Sequence, residues 1–242
     1  AKEATKYRQY TALNFAVANL NACSFLSGRS PEMADIKSFD ELEEVGEKTN
    51  STYLLWHTFM NRLSLHFWMR KYKDVLELSR QFSEKHPSSQ QNRLLNMVRN
   101  LFEGIAYFNL ARDTKLAKWK AFGMKCVEYM SRMESMSKWN YSNKVQLLQA
   151  ELHYAGGDLD SAEAAYEESI KSAHEHKLLH EEALACELYG IFCVENGMAD
   201  KGSKQLLVAI EKFQQWGAMK KVGELQQFLD TAGLNHFQRL KL

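Results

Sequence analysis

Two adjacent glycines, Gly156 and Gly157, separate two stretches in which apolar residues recur at helical spacing. The segment that follows, 157–166, begins with acids and small residues, and Tyr166 stands four positions after Ala162. Glycine favours helix ends and acids favour helix starts, so the segment predicts a tight turn between two helices. Asp160 and Glu163 have the spacing of a capping box, with Asp in place of Ser or Thr. Ala162 is predicted to lie where the two helices approach closely.

The pattern of 150–166 recurs further along the chain, at 190–206. Small residues fall at positions of close helix approach and large residues where the space between helices is filled. The recurrence predicts helical hairpins that stack on one another, as in tetratricopeptide-like repeats, although its step is longer than the roughly 34 residues of a standard unit. The aligned pairs are Ala150 with Gly190, Gly157 with Gly197, Ala162 with Gly202, and Tyr166 with Leu206. We expect these positions, together with Trp216, to shape the repeat.

Apolar periodicity extends over almost the whole chain, and only two prolines and twelve glycines interrupt its 242 residues. The predicted fold class is all-α, a right-handed α-solenoid of antiparallel helix hairpins. We expect one helical-repeat domain over 1–242, with weaker repeats in 1–86, clearer repeats in 88–231 and a short tail at 232–242. Predicted helices cover 3–27, 31–48, 51–69, 72–85, 88–111, 114–136, 140–155, 159–176, 180–196, 199–215 and 218–231. Predicted N-caps include Ser30, Ser88 or Ser89, and Asp113 or Thr114.

Composition limits the kinds of partner. The net charge is +1 and no block of like charges stands out, which disfavours nucleic acid or an acidic membrane surface as the main partner. No run of 18 apolar residues occurs, so no membrane span is predicted. The four cysteines are widely spread without a CxxC motif. We interpret them as reduced packing residues of the cytoplasm or another reducing intracellular compartment.

Two groups of side chains are candidates for chemistry. The histidines at 174, 176 and 180, with the acids at 175, 181 and 182, offer metal-ligand types, but their spacing does not match HExxH and a solvated turn is favoured. Cys186 and Cys193 lie on one face of a predicted helix. They are either a redox pair or small core residues, and core packing is favoured. No nucleophile elbow or phosphate loop occurs, so we expect no catalytic residue, cofactor or metal site. A hydrolase assembled from distant helices stays open as a third alternative.

Aromatic and methionine-rich segments have two interpretations each. The five tryptophans at 56, 68, 119, 139 and 216 are expected in the core, although some are candidates for anchoring a partner. Met124, Met130, Met133 and Met136 share the sixth predicted helix with aromatic residues, which suits core packing or a deformable binding surface. Lys118, Lys120, Lys125, Arg132 and Lys138 make this region basic. They are interpreted as lacking the aromatic interleaving that nucleic-acid binding prefers.

Several blocks carry a more specific resemblance. Residues 180–188 (HEEALACEL) are similar to a "QEEALANEL" block, and residues 213–222 (FQQWGAMKKV) to a "YxRWGAxAKV" block. Segments 144–151, 164–173 and 23–32 match further patterns of the same proteins. These blocks resemble the helical region of large multidomain signalling proteins, which join a kinase-like module, a STAND/AAA-type ATPase, a GAF domain and often a hybrid histidine kinase. The chain departs from the pattern at Cys186, Ile210, Phe213 and Gln215.

The resemblance implies a helical sensor or linker segment without catalytic residues of its own, since the family's catalytic groups lie in its ATPase and kinase domains. The expected function is therefore a non-catalytic protein-interaction or regulatory domain in intracellular signalling. The alternative is a free-standing scaffold or assembly subunit of a larger complex. In either case the expected partner is a protein, whose identity, like the oligomeric state, the sequence leaves open.

Overall fold

The computed structural model describes residues 10–29, 37–87 and 93–234. In these ranges the regular structure consists of eleven α-helices without a β-strand, which confirms the all-α class. None of the described helices is both long and apolar enough to cross a membrane. The helices are α1 (Tyr10–Ser27), α2 (Phe39–Lys48), α3 (Thr52–Trp68), α4 (Tyr72–Lys85), α5 (Arg93–Thr114), α6 (Ala117–Met136), α7 (Lys138–Gly156), α8 (Leu159–Glu175), α9 (Leu179–Glu195), α10 (Ala199–Trp216) and α11 (Met219–Thr231).

Tertiary contacts divide the chain into two compact units, the first ending at Phe102 and the second beginning at Glu103. The core of the first unit combines aliphatic side chains with stacked aromatic rings. Phe59 and Phe82 stack at a centroid distance of 4.1 Å, and Phe67 and Phe102 at 3.8 Å. Trp56, which is 2% exposed, packs against the first of these pairs. Large rings bury much area per residue, so a few of them stabilise this small unit.

In the second unit the helix ends recur at equal intervals along the chain. A residue of positive φ follows each of α7 to α10: Gly157 (81°), Lys177 (58°), Gly197 (80°) and Gly217 (87°). The amide of the next residue then bonds the carbonyl five positions earlier, at 2.8–3.1 Å, in the pairs Asp158–His153, Leu178–Ala173, Met198–Cys193 and Ala218–Phe213. This is the Schellman arrangement, which satisfies carbonyls left open at a helix end. The distance from Gly157 to Gly197 spans two of these intervals, and it equals the distance between aligned positions of the sequence repeat.

Helices α9 and α10 approach so closely that their backbones touch. A Cβ atom on Gly202 would lie 2.7 Å from the Gly190 carbonyl oxygen, which no real contact tolerates. Ala150 and Ala162, the aligned positions of the preceding repeat, are both fully buried, as are Tyr166 and Leu206. Trp216 differs from the other predicted repeat positions, because 36% of it is exposed and its ring stacks on His180 at 5.3 Å.

One predicted helix cap and two predicted helix starts are wrong. Helix α8 is capped by Asp158, whose side chain accepts from the Ser161 amide at 3.2 Å, and not by Asp160 with Glu163. Helix α2 begins at Phe39 rather than near 31, because Ser38 forms a complete capping box with Glu41.

The third correction concerns α6, which begins at Ala117, because Thr114 still belongs to α5 and Lys115 turns the chain with a φ of 55°. The predicted caps Ser30, Ser88 and Ser89 lie outside the described residues.

Ion pairs connect helices that are two apart in sequence within the second unit. Each joins a Glu oxygen to a Lys or Arg nitrogen at 2.6 Å: Arg112–Glu151 between α5 and α7, Lys144–Glu181 between α7 and α9, and Lys221–Glu187 between α9 and α11. The side chains of Lys221 and Glu187 are each only 1% exposed. Removing one member of such a pair leaves a buried charge, at a cost of about 3–5 kcal/mol.

The contact between α9 and α10 predicts opposite effects of two glycine substitutions. Gly202→Ala should destabilise the fold by about 1–3 kcal/mol, because the new methyl group meets the Gly190 backbone. The control Gly223→Ala, in the exposed interior of α11 with no atom near its Cβ position, should stabilise it by about 0.5–1 kcal/mol. Urea unfolding followed by circular dichroism measures both. A stabilising Gly202→Ala would contradict the described helix contact.

The left-handed turn at Lys177 predicts a stabilising substitution. Because a non-glycine residue at positive φ costs about 1–2 kcal/mol, Lys177→Gly should raise the free energy of unfolding by roughly 1 kcal/mol. For a chain of this size that shifts the melting temperature by about 2–4 °C. The control Lys204→Gly, exposed within α10, should lower stability by about 1 kcal/mol. Equal losses in both variants would show that residue 177 is not left-handed.

Candidate binding groove

Helices α8, α9 and α10 of the second unit enclose a surface groove of about 320 Å³. Helix α9 contributes buried residues, and α8 and α10 contribute exposed or half-buried ones, so α9 forms the floor and the other two helices form the sides. The lining residues are Glu167, Ile170, Lys171, His174, Glu175, Glu182, Tyr189 and Gln205. We call this the α8–α10 groove.

Helical spacing places these side chains together. On α8 the positions 163, 167, 170, 171 and 174 fall on one face, because they are separated by three, four or seven residues. The adjacent face of α8 is small and buried, with Ala162, Ser169 and Ala173 among its residues. Small side chains bring α8 close to its neighbours and leave its acidic face along the groove.

At one end of the groove, a buried tyrosine meets two carboxylates. The Tyr189 hydroxyl donates to the Glu163 and Glu167 carboxylates, at 2.8 Å and 2.9 Å. The Lys201 ammonium also bonds both acids and lies 5.2 Å from the Tyr189 ring centroid. The hydrogen bond from Lys201, followed by that from Tyr189, lowers the pKa of Glu163, and burial with these acids raises the pKa of Tyr189. This end therefore places two carboxyl groups and one ammonium around the tyrosine hydroxyl.

At the other end, one buried acid contacts two nitrogen-bearing side chains. Glu182, whose side chain is 8% exposed, lies 2.7 Å from the Lys212 ammonium and 3.0 Å from His174 Nδ1. Lys212 is itself largely covered, at 17% exposure, whereas His174 is open to solvent. The groove thus holds charges of both signs at both ends, with Ile170 and the Tyr189 ring between them.

Two thiols lie on the α9 helix that forms the floor. Burial, with the charge of Glu182, raises the pKa of the Cys186 thiol to about 12, and burial raises that of Cys193 to about 11. Both thiols are neutral at ordinary pH, so they pack rather than react. The raised pKa values make the stability of the fold depend on pH. Because an unfolded thiol has a pKa of about 8.5, the contribution of the buried neutral thiols to the free energy of unfolding is complete below that pH. It is lost as the pH rises through the pKa values of the folded protein. Cys126 is also buried, but Cys23 is exposed, and its assignment as a packing residue is wrong.

The three histidines considered for metal binding do not converge. His174 bonds Glu182, His176 packs at a tilt against Trp139 at 4.2 Å, and His180 stacks on Trp216. In the described ranges, ligand atoms of Glu43, Glu47 and His86 do lie within 4.8 Å of one another. The Lys85 ammonium bonds both of these acids, however, and supplies the positive charge that a metal ion would bring.

The aromatic and methionine predictions divide between core and surface. Trp56 and Trp68 are buried, but 61% of Trp139 is exposed. Met130 is fully buried, whereas 44% of Met124 and 66% of Met136 are exposed.

Two of the basic residues of α6 lie against aromatic rings. The Lys118 ammonium lies 4.6 Å from the Trp119 ring centroid and the Lys125 ammonium 5.5 Å from that of Phe122.

The sequence analysis missed a residue that lines the groove and two lysines that pair with the acids at its ends. Lys201, Gln205 and Lys212 were not singled out, although positions 201, 205, 208 and 212 follow one face of α10. Polar residues at three of these four positions were the available signal, with Val208 as the exception. The predicted repeat positions Gly157, Gly197 and Trp216 do not line the groove, and Tyr166 lies beneath it, stacked on Tyr189 at 5.4 Å.

Comparison of the chain with models of protein families, with curated proteins and with solved structures gives no match. The resemblance to multidomain signalling proteins therefore stays a hypothesis.

The burial of three thiols predicts their reactivity. In the native protein at pH 8, Ellman's reagent should modify Cys23 quickly and leave Cys126, Cys186 and Cys193 unmodified until the protein is denatured. The variant Cys23→Ser should lose the fast reaction, and Cys193→Ser should keep it. Loss of the fast reaction in Cys193→Ser would contradict the burial of the floor of the groove.

Proposed function

We propose that the chain is a non-catalytic protein-interaction domain built as a right-handed α-solenoid of antiparallel helix hairpins. The equal spacing of helix ends and the ion pairs between helices two apart support this architecture. Stacked hairpins create extended surfaces, and such surfaces bind proteins. The α8–α10 groove is the observation that carries the functional proposal.

An extended segment of a partner protein suits this groove. The apolar centre, formed by Ile170 and the Tyr189 ring, accepts a hydrophobic side chain, and the volume of about 320 Å³ accommodates one or two such groups. The charged ends offer donors at Lys201 and Lys212 and acceptors at Glu167, which suit the polar groups of a peptide backbone. Mixed charge at both ends favours a partner without strong net charge.

Intracellular signalling is the proposed context, and it rests on the resemblance of two late blocks of the sequence. Glu187 belongs to the first of the two late blocks and Lys221 to the second, and these two residues form the buried ion pair between α9 and α11. Gly217 of the second block adopts the left-handed conformation that ends α10. The blocks thus hold α9, α10 and α11 together. The four free cysteines support a cytoplasmic or other reducing compartment.

The alternative of a free-standing scaffold subunit uses the same groove and differs in its surroundings. Flanking ATPase or kinase sequence in the complete gene would favour the signalling role, and an uninterrupted solenoid would favour the scaffold.

A matched pair of substitutions on α10 tests the proposal. Peptides that bind the protein are first selected from a displayed library, and their dissociation constants are measured by fluorescence anisotropy. Gln205→Arg, which fills the groove, should weaken binding at least about tenfold, the effect of losing about 1.4 kcal/mol. Gln214→Arg makes the same chemical change on an exposed position of α10 outside the groove and should have no effect. Equal affinity in both variants, or no selected peptide, would overturn the assignment.

A further inference from the structure

Helix α6 carries a second surface, on which basic and large apolar side chains alternate. The three basic residues are exposed and seven positions apart. Each is followed four positions later by a large apolar or aromatic residue, and two of these, Phe122 and Met136, are 40% and 66% exposed. Together these residues form what we call the α6 seam: Lys118, Phe122, Lys125, Tyr129, Arg132 and Met136.

The cations of the α6 seam lack acidic partners. Within the described part of the chain, Lys118, Lys125 and Arg132 form no ion pair, although Glu128 is exposed nearby. This contrasts with Lys144 and Lys221, whose ammonium groups each have a carboxylate oxygen at 2.6 Å. Contacts of Lys118 with the Trp119 ring and of Lys125 with the Phe122 ring hold two of the charges at the surface.

The spacing of the seam is that of a helix-packing surface. Steps of four and three residues from 118 to 136 keep one line of side chains facing the same direction, as in a coiled coil. Each heptad advances roughly 10 Å along the axis. A second helix laid along α6 therefore meets a cation once per heptad, with an apolar side chain between successive cations.

We propose that the α6 seam binds an amphipathic α-helix of a partner protein, with carboxylates seven residues apart facing Lys118, Lys125 and Arg132 and apolar residues facing Phe122 and Met136. Charge complementarity and the shared heptad spacing identify this occupant. The proposal is independent of the α8–α10 groove, which lies on other helices and whose lysines are already paired.

Two other occupants fit the seam less well. Single-stranded nucleic acid needs open aromatic faces, but Trp119 packs on Tyr107 at 6.0 Å and on Phe122 at 6.1 Å, and lysines cover these rings further. An anionic bilayer needs apolar residues below a layer of cations. Here both types share one line, so burying Phe122 in acyl chains would also bury Lys118 and Lys125.

A charge-swap experiment tests the proposal. The probe is a synthetic helical peptide about three heptads long, with Leu and Glu at the interfacial positions, and the control peptide has Lys in place of Glu. Fluorescence anisotropy at low salt should show the wild type binding the Glu peptide at least about tenfold more tightly, with the preference weakening as salt rises. The triple variant Lys118→Glu, Lys125→Glu, Arg132→Glu should reverse the preference.

A control triple variant keeps the change in net charge equal. Lys73→Glu, Lys177→Glu, Lys204→Glu alters three exposed lysines elsewhere and should retain the preference for the Glu peptide. If circular dichroism shows that the triple variant is unfolded, the single variant Lys125→Glu is used instead and should lower the preference for the Glu peptide. The groove variant Gln205→Arg should leave this preference unchanged. An equal response of both triple variants would overturn the proposal. So would binding of phosphatidylserine vesicles, oligo-dT or a second copy of the chain through the seam without a preference between the peptides.

Discussion

A left-handed residue follows each of α7 to α10, and these four turns fix the geometry of this part of the second unit. Because Gly157, Lys177, Gly197 and Gly217 recur at equal intervals, each helix with its turn has the same length. Helices two apart then present equivalent positions to their neighbours. This explains why alanine at 150 and 162 and glycine at 190 and 202 occupy matching buried places. The close contact between α9 and α10 and the groove above them depend on this repeated length.

The buried ion pairs determine which residues of neighbouring helices face each other. Burying a Lys–Glu pair gains little net stability, because the loss of hydration offsets the attraction between the charges. A shifted helix, however, would leave Glu187 or Lys221 buried without its partner, which costs far more than the correct pairing gains. Such pairs therefore select one alignment of α11 on α9 over its alternatives. The Arg112–Glu151 pair, to which Tyr166 donates a further hydrogen bond, acts in the same way between α5 and α7.

Periodicity and glycine placement predicted the all-α class and most helix ranges, because both are local signals. The 72–85 prediction coincides with α4, and Gly157 and Gly197 lie at the expected turns. The turn at Lys177 carries no such signal, since lysine does not favour positive φ. The groove was missed for a different reason. Lys201 meets Glu163 and Glu167 only after α8 and α10 have packed beside α9, and a single sequence does not show which polar faces will meet.

The two proposed binding surfaces differ in whether their cations have acidic partners, and the net charge of the chain does not reveal this difference. The chain as a whole carries a net charge of +1, which disfavours any strongly charged partner. Yet the cations of the α8–α10 groove are neutralised by Glu163, Glu167 and Glu182, whereas those of the α6 seam are not. Desolvating a cation on binding costs free energy unless the partner supplies a carboxylate. The groove thus suits a partner of low net charge, and the seam suits an acidic one.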